Sequence, residues 1–193
     1  MKIVIVKYNA GNVYSVESAL LRFGIQPRIS DDADEIRDAD KVIFPGVGEA
    51  RTAMAYLREN KLDGLFKELK QPFLGICLGL QLMCTHSQEK DTPCLDIFPA
   101  DVKLFPATKK VPHMGWNALE NLKSPLFKDI AIGSYVYFVH SYYAEITDLT
   151  IASASYSVPF SAAMQKDNFY AVQFHPEKSA DVGAQILKNF IEM

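Results

Sequence analysis

The sequence predicts an α/β fold with a mixed sheet that is parallel at its centre, flanked by helices, and more antiparallel in its C-terminal half. In residues 1–90, short apolar runs alternate with segments of helical periodicity, which is the pattern of a parallel sheet with right-handed crossovers. In residues 100–175, strand-like runs follow one another with short connections, which favours antiparallel pairing. Because no repeat or linker interrupts this order, we predict one domain over residues 1–193.

The first elements follow the alternating pattern. Ile3 to Val6 is a continuous β-branched run, as expected for a strand covered on both faces. The loop Tyr8 to Asn12 comes next, and then a helix over Val13 to Phe23 with Asn12 as its N-cap. A short strand precedes the acidic stretch Asp31 to Asp40, in which we expect a solvated turn and a short helix.

A third strand, Lys41 to Phe44, leads into the turn Pro45 to Gly48. Helices are expected over Glu49 to Asn60 and Leu62 to Leu69, followed by a strand over Phe73 to Ile76. In sheets of this kind, ligands bind at the carboxyl ends of the parallel strands. We therefore expect the loops that follow these strands to converge on one site.

The second half begins after a helix predicted over Leu78 to Ser87. The strand-like runs are Asp101–Phe105, Val111–Trp116, Tyr135–Tyr143, Ile151–Tyr156, Ala162–Gln165 and Phe169–Phe174. Residues 166–168 form the turn before the last of these strands, and Ser179 to Met193 is expected to close the chain as a helix.

Composition excludes several classes of function. A net charge of -3, without a run of Lys or Arg, argues against a general nucleic-acid binder. The three cysteines form no C-x-x-C pair, so we expect neither a disulfide framework nor a zinc site, and a reducing cytoplasm fits best. No signal sequence and no apolar run long enough for a bilayer are predicted.

Cys77 stands at a turn between an apolar strand and an apolar helix, with Gly75 and Gly79 two residues away on either side. This G-x-C-x-G pattern is the thiol form of a nucleophile elbow, in which a sharp turn exposes the reactive side chain. A Cβ at either glycine would crowd the turn. The alternative is a buried structural cysteine, and the motif by itself does not separate the two.

His175 is the predicted base, because Pro176 keeps the segment extended and Glu177 then lies on the same side to orient the imidazole. The alternative is a strand-end histidine beside a solvated carboxylate. His86, His113 and His140 compete for the role, and the last two are also candidates for core histidines.

Backbone donors for an oxyanion are predicted at two places. One is the amide of Leu78, directly after the cysteine, and the other is Val47 or Gly48 in the turn that ends the third strand. The alternative is an ordinary strand-to-helix loop.

Taken together, these residues resemble the class I glutamine amidotransferases, which hydrolyse glutamine with a Cys-His-Glu triad. The resemblance implies that Cys77, His175 and Glu177 are that triad. It also implies a glutamine site. Its residues would be Gly46, Gln81, Glu89, His140, Ser141 and Tyr142. No metal or organic cofactor is implied.

Further blocks narrow the resemblance to the glutaminase subunits of imidazole glycerol phosphate synthase. The most specific is Val111 to Asn117, and the others lie at residues 8–12, 44–48, 137–143 and 173–179. The implied partner is the cyclase/synthase subunit, in a heterodimer that uses the ammonia to form imidazole glycerol phosphate and AICAR in histidine biosynthesis. The implied interface residues are Tyr8, Asn12, Met114, Trp116, Asn117 and Lys178.

Two departures from the subfamily pattern leave the partner open. Lys7 stands where Asp is usual, and Cys94-Leu95-Asp96 replaces a Gly-Leu-Gly turn. A paralogous glutaminase that supplies a sugar-amidinating enzyme is therefore an alternative. The alternatives of other classes are a cysteine hydrolase acting on peptides or esters and a regulatory subunit without catalytic activity.

Overall fold

The computed structural model describes residues 1–8 and 12–193. The helices are α1 (Val13–Leu21), α2 (Ala33–Arg37), α3 (Ala50–Glu59), α4 (Leu62–Glu68), α5 (Leu78–Met83) and α6 (Ala180–Glu192). The strands are β1 (Ile3–Val6), β2 (Arg28–Ser30), β3 (Lys41–Gly46), β4 (Phe73–Cys77), β5 (Cys84–Ser87), β6 (Thr92–Pro93), β7 (Phe98–Leu104), β8 (His113–Ala118), β9 (Tyr135–His140), β10 (Tyr142–Ala144), β11 (Thr150–Ser155), β12 (Pro159–Lys166) and β13 (Phe169–Val172).

The main sheet has seven strands in the order β11-β12-β13-β4-β3-β1-β2. The five strands from β13 to β2 are parallel, whereas β11 and β12 pair antiparallel at one edge. A four-stranded sheet, β10-β7-β5-β6, and the antiparallel pair β8-β9 complete the chain. This arrangement confirms the predicted α/β class with a parallel centre and a more antiparallel second half.

Both faces of the main sheet are covered, which explains why its central strands are apolar throughout. In β1, Ile3 and Ile5 join the hydrophobic cluster that includes α1 and α6, whereas Val4 and Val6 join the cluster that includes α3 and α4. Successive side chains of a strand point to opposite faces, so a strand buried on both sides needs apolar residues at every position. None of the helices in the described ranges is long and apolar enough to cross a bilayer.

The prediction of a helix over Leu78 to Ser87 is wrong for the second part of that range. α5 ends at Met83, and Cys84 to Ser87 form strand β5, which pairs with β6 and β7. No Gly or Pro separates these four residues from the apolar helix before them, so the sequence gives no sign of the change, and tertiary pairing decides their conformation. Similarly, the single strand predicted over Tyr135 to Tyr143 is divided at Ser141 into β9 and β10, which belong to different sheets.

Asn12 is the N-cap residue of α1, as predicted, but its side chain does not have the expected capping role. Asn12 adopts left-handed backbone angles, with φ 80°, and its side chain makes no capping bond to the helix. Its amide contacts His175 and Glu177 instead. Residues 9–11, which belong to the predicted Tyr8 to Asn12 loop, lie outside the described ranges.

Candidate active site

Cys77 occupies a strained turn between β4 and α5. Its φ of 56° and ψ of -107° are unusual for any residue except glycine. The two flanking glycines are required by close packing. A Cβ at Gly79 would lie 2.1 Å from the Phe44 carbonyl oxygen, and one at Gly75 would lie 2.6 Å from the Met83 sulfur. The predicted elbow geometry is therefore present, with a small amount of Cys77 exposed to solvent.

His175 and Glu177 follow β13, the strand next to β4, and their side chains are fully buried. His175 Nδ1 lies 2.7 Å from Glu177 Oε1. The route to this contact differs from the prediction, because Pro176 to Lys178 form a 3-10 turn rather than extended chain. Proline is accepted at the first position of such a turn, where no backbone N–H is needed.

Two opposing effects act on the pKa of His175. Burial lowers the pKa of the imidazole, but its interactions with Cys77 and Glu177 outweigh burial and raise the pKa to about 10. Nε2 is buried and has no well-formed hydrogen bond within the described part of the chain, yet Cys77 is close enough to affect the ring. The histidine therefore favours its protonated form between a thiol and a carboxylate.

Asn12 contacts both His175 and Glu177, a role that was not predicted from the sequence. Its side-chain amide donates a short hydrogen bond to Glu177 Oε1, the same oxygen that His175 contacts. Asn12 lies directly before α1, which packs against the turn that carries Glu177. No spacing or motif signals a contact between residues 165 positions apart.

A cavity of about 330 Å³ opens at the elbow and brings together most of the predicted site residues. It is lined by Val47, Gly48, Cys77, Leu78, Gln81, Glu89, Pro112, Val139, His140, Ser141 and Tyr142. Pro112 and Val139 were not predicted. His175 and Glu177 are not part of the lining.

Gly46 is not among the residues that line the cavity, so its predicted contact with glutamine stays a prediction. It pairs with Cys77 in the sheet, and a Cβ there would lie 2.2 Å from the Tyr8 hydroxyl and 2.8 Å from Leu78 Cβ. Its neighbours Val47 and Gly48 do face the cavity, and Gly48 has a φ of 117° that favours glycine. Gly46 is thus needed for the packing of this turn.

Glu89 provides a carboxylate at the cavity. Its Oε2 accepts a hydrogen bond of 2.7 Å from the backbone N–H of Ala50, at the start of α3. Burial, with a smaller contribution from Glu49, raises the pKa of Glu89. A half-buried carboxylate with spare acceptor capacity is suited to binding a cation or an ammonium group.

Gln81 lies on α5 and is buried. Its Nε2 donates to the Tyr142 carbonyl oxygen, at 2.9 Å, and to Gln173 Oε1, at 3.0 Å. The Nε2 of Gln173 is in turn 3.6 Å from Cys77 Sγ. Gln173 is a second residue that sequence reasoning left without a role, although it lies two positions before His175.

The competing histidines have other partners. His86 Nε2 contacts the exposed Asp91 at 2.8 Å, on the surface. His113 and His140 form a buried pair, with 2.9 Å between His113 Nδ1 and His140 Nε2, as expected for core histidines. Burial lowers the pKa of His113 to about 4 and that of His140 to about 3, so both are neutral near pH 7.

The residues predicted for a partner interface do not all lie on the surface. Met114 is 62% exposed and Trp116 is 51% exposed, both on β8, and Lys178 is exposed as well. Asn117 is half-buried and donates to the Ser155 carbonyl. Tyr8 is buried and packs on Phe44, with 5.1 Å between the ring centroids, so its place in a partner interface stays a prediction that its burial does not favour.

Residues 1–8 and 12–193 contain no group of three or more His, Cys, Asp or Glu side chains arranged to hold a metal ion. The three cysteines are unpaired. The groups that line the cavity include the Cys77 thiol, the His140 imidazole and the Glu89 carboxylate.

The chain is similar to known proteins over nearly its whole length. The family model for glutamine amidotransferase class-I matches residues 4–193. The chain is 55% identical to the imidazole glycerol phosphate synthase subunit HisH of Bacteroides fragilis (strain YCH46), over all of both chains. It is 47% identical to the subunit of the same name from Escherichia coli (strain K12), again over all of both chains.

Solved structures show the same fold at low identity. A putative GMP synthase component from Thermoplasma acidophilum has a TM-score of 0.76 and 21% identity, with 100% of this chain and 92% of that chain covered. PurLQS from Thermotoga maritima has a TM-score of 0.70 and 15% identity, with 99% and 97% covered.

Proposed function

Since the chain belongs to the glutamine amidotransferase class-I family, we propose that it hydrolyses glutamine to glutamate and ammonia for a synthase partner. The partner is the cyclase subunit of imidazole glycerol phosphate synthase, and the ammonia serves to form imidazole glycerol phosphate and AICAR in histidine biosynthesis. The HisH relatives, which are 55% and 47% identical over the whole chain, favour this partner over a sugar-amidinating enzyme. The single observation that carries the chemistry is the contact of Glu177 with His175 beside Cys77.

Cys77 is the nucleophile of this reaction. Its thiolate attacks the side-chain carbonyl carbon of glutamine, and His175, as imidazolium, donates its proton to the departing ammonia. The resulting thioester is then hydrolysed by a water molecule whose proton returns to His175, and glutamate leaves as the thiolate is regenerated. Glu177 accepts the Nδ1 hydrogen bond, and so directs Nε2 towards the sulfur.

The tetrahedral intermediates carry a negative oxygen that needs donors. We assign these to the backbone amides of Leu78 and of Val47 or Gly48, because all three residues line the cavity beside Cys77. Loss of one such donor typically slows a reaction by about 100- to 1,000-fold.

The remaining lining residues suit the amino-acid part of the substrate. Glu89 is assigned to the α-ammonium group, because its carboxylate is half-buried at the same cavity. Gln81, His140, Ser141 and Tyr142 form the wall on which the glutamine chain would lie, and the positions of Gln81 and His140 are fixed by their own hydrogen bonds.

The partner binds, in this proposal, at the exposed part of β8 around Met114 and Trp116, together with Lys178. A cytoplasmic location belongs to the same proposal, because three unpaired cysteines fit a reducing compartment.

Replacement of the nucleophile tests the function. In the complex with the synthase, Cys77→Ala should abolish synthesis from glutamine, whereas synthesis from added ammonium salts should continue at the wild-type rate. The second assay controls for assembly of the complex. Synthesis from glutamine by the Cys77→Ala complex would refute the mechanism.

A further inference from the structure

Gln173 is a fully buried side chain whose amide bridges Gln81 and the candidate nucleophile. From this geometry, we propose that Gln173 donates a hydrogen bond to the sulfur of Cys77 and thereby stabilises the thiolate that attacks the substrate. The proposal rests on the function proposed above, and it adds one residue to the same reaction. The distance of 3.6 Å between Nε2 and Sγ is suitable for a hydrogen bond to sulfur.

The direction of the Gln173 amide follows from its neighbours. The oxygen and nitrogen of an amide have nearly the same shape, so their assignment must come from the hydrogen-bond network. The Tyr142 carbonyl can only accept, so the Gln81 atom 2.9 Å away must be the NH₂ group. The same NH₂ group lies 3.0 Å from the Gln173 side chain, which must present its oxygen there. The remaining NH₂ group of Gln173 therefore faces Cys77.

The Tyr142 carbonyl is also held by His140, which in turn contacts His113. His140 Nδ1 lies 2.8 Å from this carbonyl and must carry a proton to donate to it. Because burial keeps His140 neutral, its Nε2 is an acceptor and receives a bond from His113 Nδ1 at 2.9 Å. The carbonyl that orients Gln81, and through it Gln173, is thus itself held by a hydrogen bond from His140.

A neutral donor at the sulfur has a distinct chemical effect. The sulfur of a thiol is a weak acceptor, whereas a thiolate is a strong one, so the bond from Gln173 favours the ionised form. In the thiol form, the S–H group has the Val139 carbonyl as a weak acceptor at 3.8 Å. Unlike His175, which gives up its proton to ammonia, Gln173 remains a donor when the thioester breaks down and the thiolate returns.

The test is the rate at which iodoacetamide alkylates Cys77, measured from pH 5 to pH 10 by mass spectrometry of the peptide that contains it. This peptide-specific readout separates Cys77 from Cys84 and Cys94. The variant is Gln173→Met, which keeps the length of the side chain and removes the donor. The matched control is Gln165→Met, on the adjacent strand, because Gln165 bonds Ser124 and Tyr170 and makes no bond to the site.

For Gln173→Met, we expect the pH of half-maximal alkylation to rise by about one unit and the rate well below the wild-type midpoint to fall about tenfold, as for the loss of one hydrogen bond to a charged atom. The rate at high pH should be unchanged, and the control should follow the wild type. A profile for Gln173→Met that coincides with the wild type would overturn the proposal.

A second variant keeps the proposal testable if Gln173→Met does not fold. Gln173→Glu has the same shape, can still accept from Gln81, and places a carboxylate beside the sulfur, so it should also raise the half-maximal pH. An unchanged profile for this folded variant would likewise contradict the proposal.

Alkylation does not require glutamine hydrolysis. A wild type that is alkylated normally but releases no glutamate would therefore refute the proposed function and not the role of Gln173.

Discussion

At the residue scale, Glu177 shows how much of the site depends on side chains outside the three candidate catalytic residues. One carboxylate oxygen, Oε1, is shared by His175 and Asn12, whereas Oε2 is buried without a hydrogen-bond partner in the described residues. A buried carboxylate is costly unless its hydrogen bonds are complete. The position of Glu177 is therefore sensitive to the loss of either contact.

Asn12→Ala should lower kcat for glutamine about tenfold, because a hydrogen bond to a charged group contributes about 1.5 kcal/mol or more. Glutamate release is measured in the presence of saturating synthase, so that a change in partner binding has no influence. Asn60→Ala is the control, since that amide bonds only within its own helix, to the Tyr56 carbonyl. An Asn12→Ala enzyme with wild-type kcat would show that Glu177 is held without Asn12.

The buried His140 makes the free energy of unfolding depend on pH. Its pKa is lowered to about 3 by burial, so the unfolded chain binds a proton at this residue between about pH 6.5 and 3 while the folded chain does not. The stabilising contribution is present above pH 6.5 and is lost as the pH falls, by up to about 1.4 kcal/mol per pH unit. Urea unfolding at pH 7, 6 and 5 should show this decrease.

The comparison variant for this prediction is His140→Gln, which keeps a donor for the Tyr142 carbonyl but does not titrate. Its free energy of unfolding should fall less steeply with acid than that of the wild type. Equal slopes for the two proteins would assign the acid sensitivity to other groups.

At the scale of elements, the turn between β4 and α5 is the most constrained part of the chain. Gly79→Ala places a methyl group 2.1 Å from the Phe44 carbonyl oxygen of β3, so the helix must move away from the sheet. Crowding of this kind costs about 1–3 kcal/mol. We expect a loss of this size in urea unfolding, together with loss of glutaminase activity.

Gly64→Ala is the matched control, because Gly64 lies in α4 and a Cβ there meets nothing within 4 Å. Alanine in a helix is favoured over glycine by about 0.5–1 kcal/mol, so this variant should be as stable as the wild type or more stable. A Gly79→Ala protein as stable as Gly64→Ala would contradict the packing described for the elbow.

The sequence predicted the elements of the main sheet better than those of the smaller sheets. β1, β3 and β4 are buried on both faces, so their apolar runs leave a clear signal. β5 and the 3-10 turn at Pro176 were missed. The first follows a helix with no Gly or Pro between them to signal the change, and the second depends on a proline that is compatible with two conformations.

At the scale of the whole molecule, β8 and β9 form a separate two-stranded sheet that leaves aromatic side chains exposed. Trp116 is 51% exposed and contacts Tyr137 edge to face, with 6.1 Å between the ring centroids. Exposed Met and Trp side chains at alternate positions of a strand, and so on one face of it, are characteristic of a protein interface.

Trp116→Ala should therefore weaken binding of the synthase partner by about 2 kcal/mol, or roughly 30-fold in Kd, as measured by calorimetry. Leu104→Ala, at an exposed apolar residue on β7, is the control and should leave Kd unchanged. Wild-type affinity for Trp116→Ala would place the partner on another surface.

By itself, the sequence determined the α/β class, the elbow at Cys77 and the pairing of His175 with Glu177, because each depends on residues that are close in the chain or on periodicity. Only the tertiary structure decided the contacts between distant residues. It brought Asn12 to Glu177, Gln173 to Cys77 and His113 to His140, and it buried Tyr8. The physical reason is that the direction of a polar side chain is set by the partner that satisfies it, and that partner is supplied by another strand or helix of the fold.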